Sequence, residues 1–149
     1  MSEVVTSIQI DASPEQVWAV VMDPARLKDW VTIHRRLHEA PDGPPRAGDE
    51  MVQTLHLRGA NFKVHWELAA CDAPTHAEWH GRGPARSKAE TEYRLTEIDG
   101  GTRFDYRNEF KPPLGPLGAV ASRAIVGGLP LREADASLRR LKALVENQR

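Results

Sequence analysis

Between Met51 and Phe110 the chain alternates apolar and polar residues in successive short runs, with turn-forming residues at the breaks. A period of two belongs to half-buried strands, and strands joined by such short turns form an antiparallel sheet. Charge decides the register of one pair. A turn at Asp99-Gly100 sets Glu92 opposite Arg107 and Arg94 opposite Asp105. A turn at Gly100-Gly101 instead opposes Arg94 to Arg107 and Glu92 to Glu109. Cross-strand opposite charges help by roughly some tenths of a kcal/mol and like charges cost about as much, so the Asp-Gly turn is selected. The other face of this hairpin carries Leu95 against Phe104, Tyr93 against Tyr106 and Thr91 against Asn108.

The same reasoning extends to the neighbouring runs. With Gly59-Ala60 as a two-residue turn, Leu57 faces Phe62, Leu55 faces Val64, Gln53 faces Trp66 and Met51 faces Leu68. That face is apolar except for Gln53, and the opposite face holds Val52, Thr54, His56 and Arg58 with Lys63, His65 and Glu67. Residues 75–82 give a shorter strand with Ala77, Trp79 and Gly81 on one side, ended by Gly83-Pro84. Thr32 to Glu39 leads into the loop Pro41-Asp42-Gly43-Pro44-Pro45.

Helical signals flank the strands. The first ten residues alternate as one more strand, with Val4, Thr6, Ile8 and Ile10 on one side. Ser13-Pro14-Glu15-Gln16 then combines an N-cap, a first-turn proline and a capping-box Gln, and predicts a helix burying Val17, Val20 and Val21 beside Trp18. Asp23-Pro24 repeats the cap for a second short helix ending near Trp30. Past Lys111-Pro112-Pro113, apolar residues recur at helical spacing from Leu117 to Ile125, then through Leu131, Leu138, Leu141 and Val145. Gly127-Gly128 and Pro130 predict a kink or break between these halves, and Asp135 and Arg139 form an exposed i,i+4 pair. The order is α+β: an antiparallel sheet of about seven strands around a long C-terminal helix, with two short helices after the first strand. The length of 149 residues fits one domain over 1–149.

Composition narrows the function. Twenty Lys and Arg against 21 Asp and Glu give a net charge of -1, which excludes a nucleic-acid binder working by bulk positive charge. The single cysteine, Cys71, has no intrachain disulfide partner and cannot build a cysteine-rich metal site, which fits a reducing cytoplasmic setting. No secretory signal and no membrane-length apolar run is visible, so stable membrane insertion is not expected. No nucleophile-elbow, Walker or dinucleotide glycine pattern is present, and no cofactor is expected.

Taken together, the opening strand, Ser13-Pro14-Glu15-Gln16-Val17-Trp18, Asp23-Pro24-Ala25-Arg26-Leu27 with Trp30, the Asp-Gly hairpin and the terminal amphipathic helix resemble the SRPBCC superfamily over essentially the whole chain. The chain looks most like its bacterial polyketide cyclase/dehydrase and lipid-transport branch. Within that branch, Trp30-Val31-Thr32-Ile33-His34 and Leu114-Gly115-Pro116-Leu117-Gly118 are similar to a mycobacterial subgroup described as toxins of toxin–antitoxin pairs. The resemblance implies a START-like helix-grip fold with an internal cavity. It also implies one of three activities: binding of a lipid or polyketide, cyclase or dehydratase chemistry, or action on a protein partner. Function resides in the site rather than the fold.

The registers turn Gln53, Leu55, Trp66, Trp79, Thr91, Tyr93, Tyr106 and Asn108 inward, with Trp30 beside them. Two arrangements satisfy this set. The side chains fill a core and bond one another, or they wall a pocket for a hydrophobic or amphipathic small molecule. His34 lies at the expected cavity mouth and is the candidate general acid or base, moving protons together with the Tyr93/Tyr106 pair if the chain is a cyclase or dehydratase; its alternative is an edge histidine bonded to backbone or water. No metal site is expected. His34 with His38, and His76 with His80, lie about 13 Å apart on a straight strand, and His56 and His65 are diagonal neighbours without a third ligand. The expected partner is the small molecule, with the chain a monomer or homodimer.

Overall fold

A computed structural model describes residues 2–112 and 128–148. Seven strands form one antiparallel sheet: β1 (Ser2–Ile10), β2 (His34–Glu39), β3 (Glu50–Leu57), β4 (Ala60–Asp72), β5 (His76–Arg82), β6 (Lys88–Ile98) and β7 (Gly101–Lys111). Their spatial order is β1-β7-β6-β5-β4-β3-β2. Strands 2 to 7 therefore meander, and β1 closes onto the last of them. Helices α1 (Pro14–Val21) and α2 (Leu27–Trp30) sit between β1 and β2, and α3 spans Leu131–Glu146. This is the α+β arrangement of the helix-grip fold. The first half of the expected C-terminal helix and residues 114–118 lie outside the described residues.

Local chemistry accounts for the elements. Gln16 N–H donates to the Ser13 hydroxyl at 3.2 Å, and Ser13 N–H donates to Gln16 Oε1 at 2.9 Å, so the capping box forms in full. Asp23 caps a single 3-10 turn, Pro24–Arg26, that runs into α2. The β6–β7 hairpin has the charge-selected register, with Glu92 opposite Arg107 and Tyr93 opposite Tyr106. Arg94 stands opposite Asp105 as expected, but it pairs with Glu92 at 3.3 Å while Asp105 takes Arg103 at 3.0 Å.

The β3–β4 hairpin differs from expectation. Leu57 pairs with Ala60, Leu55 with Phe62, Gln53 with Val64 and Met51 with Trp66, so the turn is Arg58-Gly59 rather than Gly59-Ala60. Both turn residues have positive φ, 51° and 80°, as a turn matched to the sheet's twist requires. The offset is two residues, an even number, so every side chain stays on its expected face. It separates His56, which bonds Asn61, from His65, which lies opposite Val52, and the diagonal histidine pair does not exist.

The sheet's inner face packs on the helices through Ile10, Val17, Val20, Leu27, Leu68, Leu95, Phe104, Leu138, Leu141 and Val145, all nearly inaccessible. Two expectations for α3 are corrected. Leu131 is 54% exposed, because it opens the first turn beyond the edge of the core. Asp135 is half-buried and accepts a hydrogen bond from Thr6 of β1 at 2.6 Å, so it serves sheet contact rather than an exposed pair with Arg139. Lys142 also reaches the Gln9 carbonyl at 2.8 Å. No helix among the described residues is long and apolar enough to cross a membrane.

Candidate functional site

A cavity of about 70 Å³ lies between the inner face of the sheet and the α1–α2 segment and α3. On the same measure one water needs about 10–15 Å³, so the space is several times the size of a single water. Gln53 and Leu55 of β3, Trp66 of β4, Trp79 of β5, Thr91 and Tyr93 of β6, and Tyr106 and Asn108 of β7 line it, with Trp30 of α2 opposite. His34 does not line it. A second hollow of about 50 Å³ shares Ile33, Leu55, Trp66, Asn108 and Leu129 with the first.

Further lining residues went unnoticed in the sequence, among them Met22, Pro24, Val31 and Ser137. Ser137 carried a readable signal. It sits at helical spacing with Ala134, Leu138 and Leu141, a hydroxyl on an otherwise apolar stripe. Its oxygen accepts the Thr32 N–H at 3.0 Å, and the Thr32 hydroxyl donates to the Glu133 carboxylate. These bonds fasten α3 to the junction of α2 and β2.

One hydrogen-bonded chain sets the state of His34. Trp66 Nε1 donates to Gln53 Oε1 at 2.9 Å, and the Gln53 amide nitrogen lies 2.7 Å from His34 Nδ1. An indole N–H can only donate, so the amide oxygen must face Trp66 and the amide nitrogen must face the imidazole. His34 Nδ1 is then an acceptor, and the ring carries its proton on Nε2. Burial also pulls the His34 pKa below its usual value, so both effects keep the ring neutral. Trp66 has room for this contact because Gly81 stands opposite it. A Cβ at Gly81 would lie 2.7 Å from the indole.

Aromatic rings form the other wall. Tyr93 and Tyr106 stack at 6.0 Å, and Trp30 meets Tyr93 at 6.0 Å and Phe104 edge-on at 6.3 Å. Burial drives the Tyr93 phenol well above its usual range, with Tyr106 adding to the shift. Burial also pushes Tyr106 up to about 12, against hydrogen bonds from Asn108 and Thr91 that pull the other way. Both phenols therefore stay protonated at neutral pH. Asn108 Nδ2 donates to the Thr91 hydroxyl at 2.9 Å and reaches the Tyr106 oxygen at 3.5 Å. Trp30 Nε1 is buried and has no hydrogen-bond partner among the described residues.

The outer face of the sheet gathers the charges. Arg107 lies within 3.5 Å of carboxylate oxygens of Glu3, Glu90, Glu92 and Glu109. Cross-strand pairing also brings together His76, Glu78 and Glu92, and Glu78, His80 and Glu90, with ligand atoms in each group within 4.8 Å of one another. Counting histidines alone along single strands missed these groups, because one carboxylate, Glu78, lies between the histidines on β5 and the others, Glu90 and Glu92, come from β6. Each carboxylate already has a cationic or histidine partner: Glu92 has His76 and Arg107, Glu78 has His80, and Glu90 has Arg107 and Lys111. Cys71 is half-buried, and burial followed by the Asp72 charge raises its thiol pKa, so it is a packed residue rather than a nucleophile.

A family model described as polyketide cyclase/dehydrase and lipid transport matches residues 1–146. An uncharacterized protein of Mycobacterium tuberculosis is 26% identical over 129 residues, covering 85% of this chain and 90% of its own. A second M. tuberculosis protein, named as a toxin, is 20% identical over 127 residues, covering 84% and 88%. Among solved structures, a Deinococcus radiodurans protein aligns with a TM-score of 0.74 at 20% identity over the whole of both chains, a likeness of fold.

Proposed function

The chain belongs to the polyketide cyclase/dehydrase and lipid transport family, and from that premise we propose that it binds a hydrophobic or amphipathic small molecule, such as a lipid or polyketide, between the sheet and its helices. One observation carries the reading: tryptophans and tyrosines wall a sheltered cavity, with a few oriented polar groups among them. Apolar walls desolvate a ligand, and fixed polar groups orient it.

This reading stands ahead of a cyclase or dehydratase. The described lining of the first cavity has no carboxylate, lysine or histidine, and its phenols hold their protons; Lys88 lines only the adjoining hollow. His34, the candidate acid or base, has Nδ1 committed to Gln53. It also stands ahead of a toxin acting on a macromolecular partner, which draws only on two short sequence segments and the name of a relative 20% identical.

Uptake of the uncharged dye phenylnaphthylamine by delipidated protein tests the reading. Wild type should bind it saturably with enhanced fluorescence. Tyr106→Arg, which puts a charge into the space, and Leu55→Trp, which fills it, should each weaken binding at least about tenfold. Far-UV circular dichroism should stay unchanged in both. Absence of saturable binding by wild type overturns the proposal.

A further inference from the structure

The cavity and the outer sheet divide the polar chemistry of this chain sharply. Arg107, Glu90, Glu92 and Glu109 pair on the outside, whereas the described lining holds no formally charged group at neutral pH. Even His34, which bonds the lining residue Gln53, is neutral, with its Nδ1 lone pair engaged by the Gln53 amide. A carboxylate headgroup entering the first cavity would lose its hydration and meet no cation in its lining, since the exposed Lys88 stands only on the adjoining hollow, a cost that favours exclusion or neutralisation.

What the lining does offer is hydrogen-bond donors. Trp30 is 1% exposed, and its Nε1, a group that can only donate, has no acceptor among the described residues. Tyr93, its ring 6.0 Å from that of Trp30, is 5% exposed and keeps its hydroxyl proton. A buried donor without an acceptor is costly, and a ligand oxygen that reached it would relieve that cost.

We propose that the cavity selects an uncharged ligand carrying an oxygen acceptor, such as a ketone or ester on an apolar ring skeleton, over a carboxylate-headed lipid, with Trp30 and Tyr93 as the specificity-determining donors. This rests on the binding reading above. The chemical group is set by the donors, and the ring skeleton by the flat aromatic walls.

Three naphthalenes of similar shape separate the possibilities: acetylnaphthalene, ethylnaphthalene and naphthoate, each titrated by displacement of phenylnaphthylamine at neutral pH. The ketone should bind about fivefold or more tighter than the hydrocarbon, the range expected for one or more net hydrogen bonds, and at least tenfold tighter than the carboxylate. Tyr93→Phe and Trp30→Phe keep a ring and delete the donor. Each should lower the ketone's advantage over ethylnaphthalene severalfold, the ratio of the two affinities cancelling any change in wall contact common to both ligands. Tyr93→Phe removes a single oxygen and keeps the test informative if Trp30→Phe fails to fold. Ketone and hydrocarbon binding within twofold of each other, naphthoate binding as tightly as the ketone, or an unchanged preference in the folded variants each overturns the inference while leaving the binding reading intact. The same holds if the dye binds and no naphthalene displaces it. If wild type binds neither dye nor naphthalenes, the binding reading itself falls.

Discussion

His34 binds its proton on Nε2 because Trp66, two side chains away, has no lone pair to offer. Its pKa is held below the usual 6.5 in the folded chain, so the unfolded chain takes up a proton first as the solution is acidified. The contribution of His34 to stability is thus complete above the unfolded value and is lost as pH falls through the folded one. The urea midpoint of wild type should drop between about pH 7.5 and pH 5, and the drop should be smaller in His34→Gln, which has no imidazole to protonate. An equal drop in both would exclude this role. The sequence singled out His34 and Gln53 separately. It could not join them, because their contact depends on how β2 lies on β3, and that pairing contains register shifts that no alternation pattern encodes.

At the level of elements, the β6–β7 hairpin was readable because its charges oppose one another only in one register. The β3–β4 hairpin was misread by two residues because its turn places Arg58, a side chain with no special liking for it, in the left-handed region. The inner faces survived that error, since only an odd slip exchanges them. Arg107 is the keystone of the outer face, facing Glu3, Glu90, Glu92 and Glu109. Burial favours the protonated form of Glu92, but hydrogen bonds from His76 and Arg107 outweigh it, aided by the Arg94 and Arg107 charges, and hold its carboxyl below 4.5. This contribution is present above the unfolded value and fades as pH falls through the folded one. Arg107→Met should therefore cost about 1–2 kcal/mol at neutral pH, a modest figure because the network is partly solvated. The gap from wild type, read from urea unfolding, should narrow towards pH 4 and below. A gap independent of pH would assign the loss to packing of the arginine stem.

For the molecule as a whole, the sequence located the sheet, the helical segments and about half of the residues on the cavity wall, but not what fastens the parts together. Thr32 carries no signal in the sequence and Ser137 only that of a hydroxyl on an apolar stripe; in space they join the α2–β2 junction to α3 through side-chain and backbone bonds. Thr32→Val removes the hydroxyl and should cost about 1–2 kcal/mol, because the change also strips a hydrogen bond from Glu133. Hydrogen exchange should quicken in α3 while β6 and β7 keep their protection, whereas a uniform increase would mean that the clasp is no more than a part of the global core. The strand order has a consequence in time. Each strand of the β2–β7 meander can pair with the one made just before it, but Ile10 waits for Thr102, and the β1 contacts to Asp135 and Lys142 come later still. During synthesis, then, the earliest strand of the sheet is the last to find its neighbour, and until β7 emerges Val4, Ile8 and Ile10 are open to wrong partners.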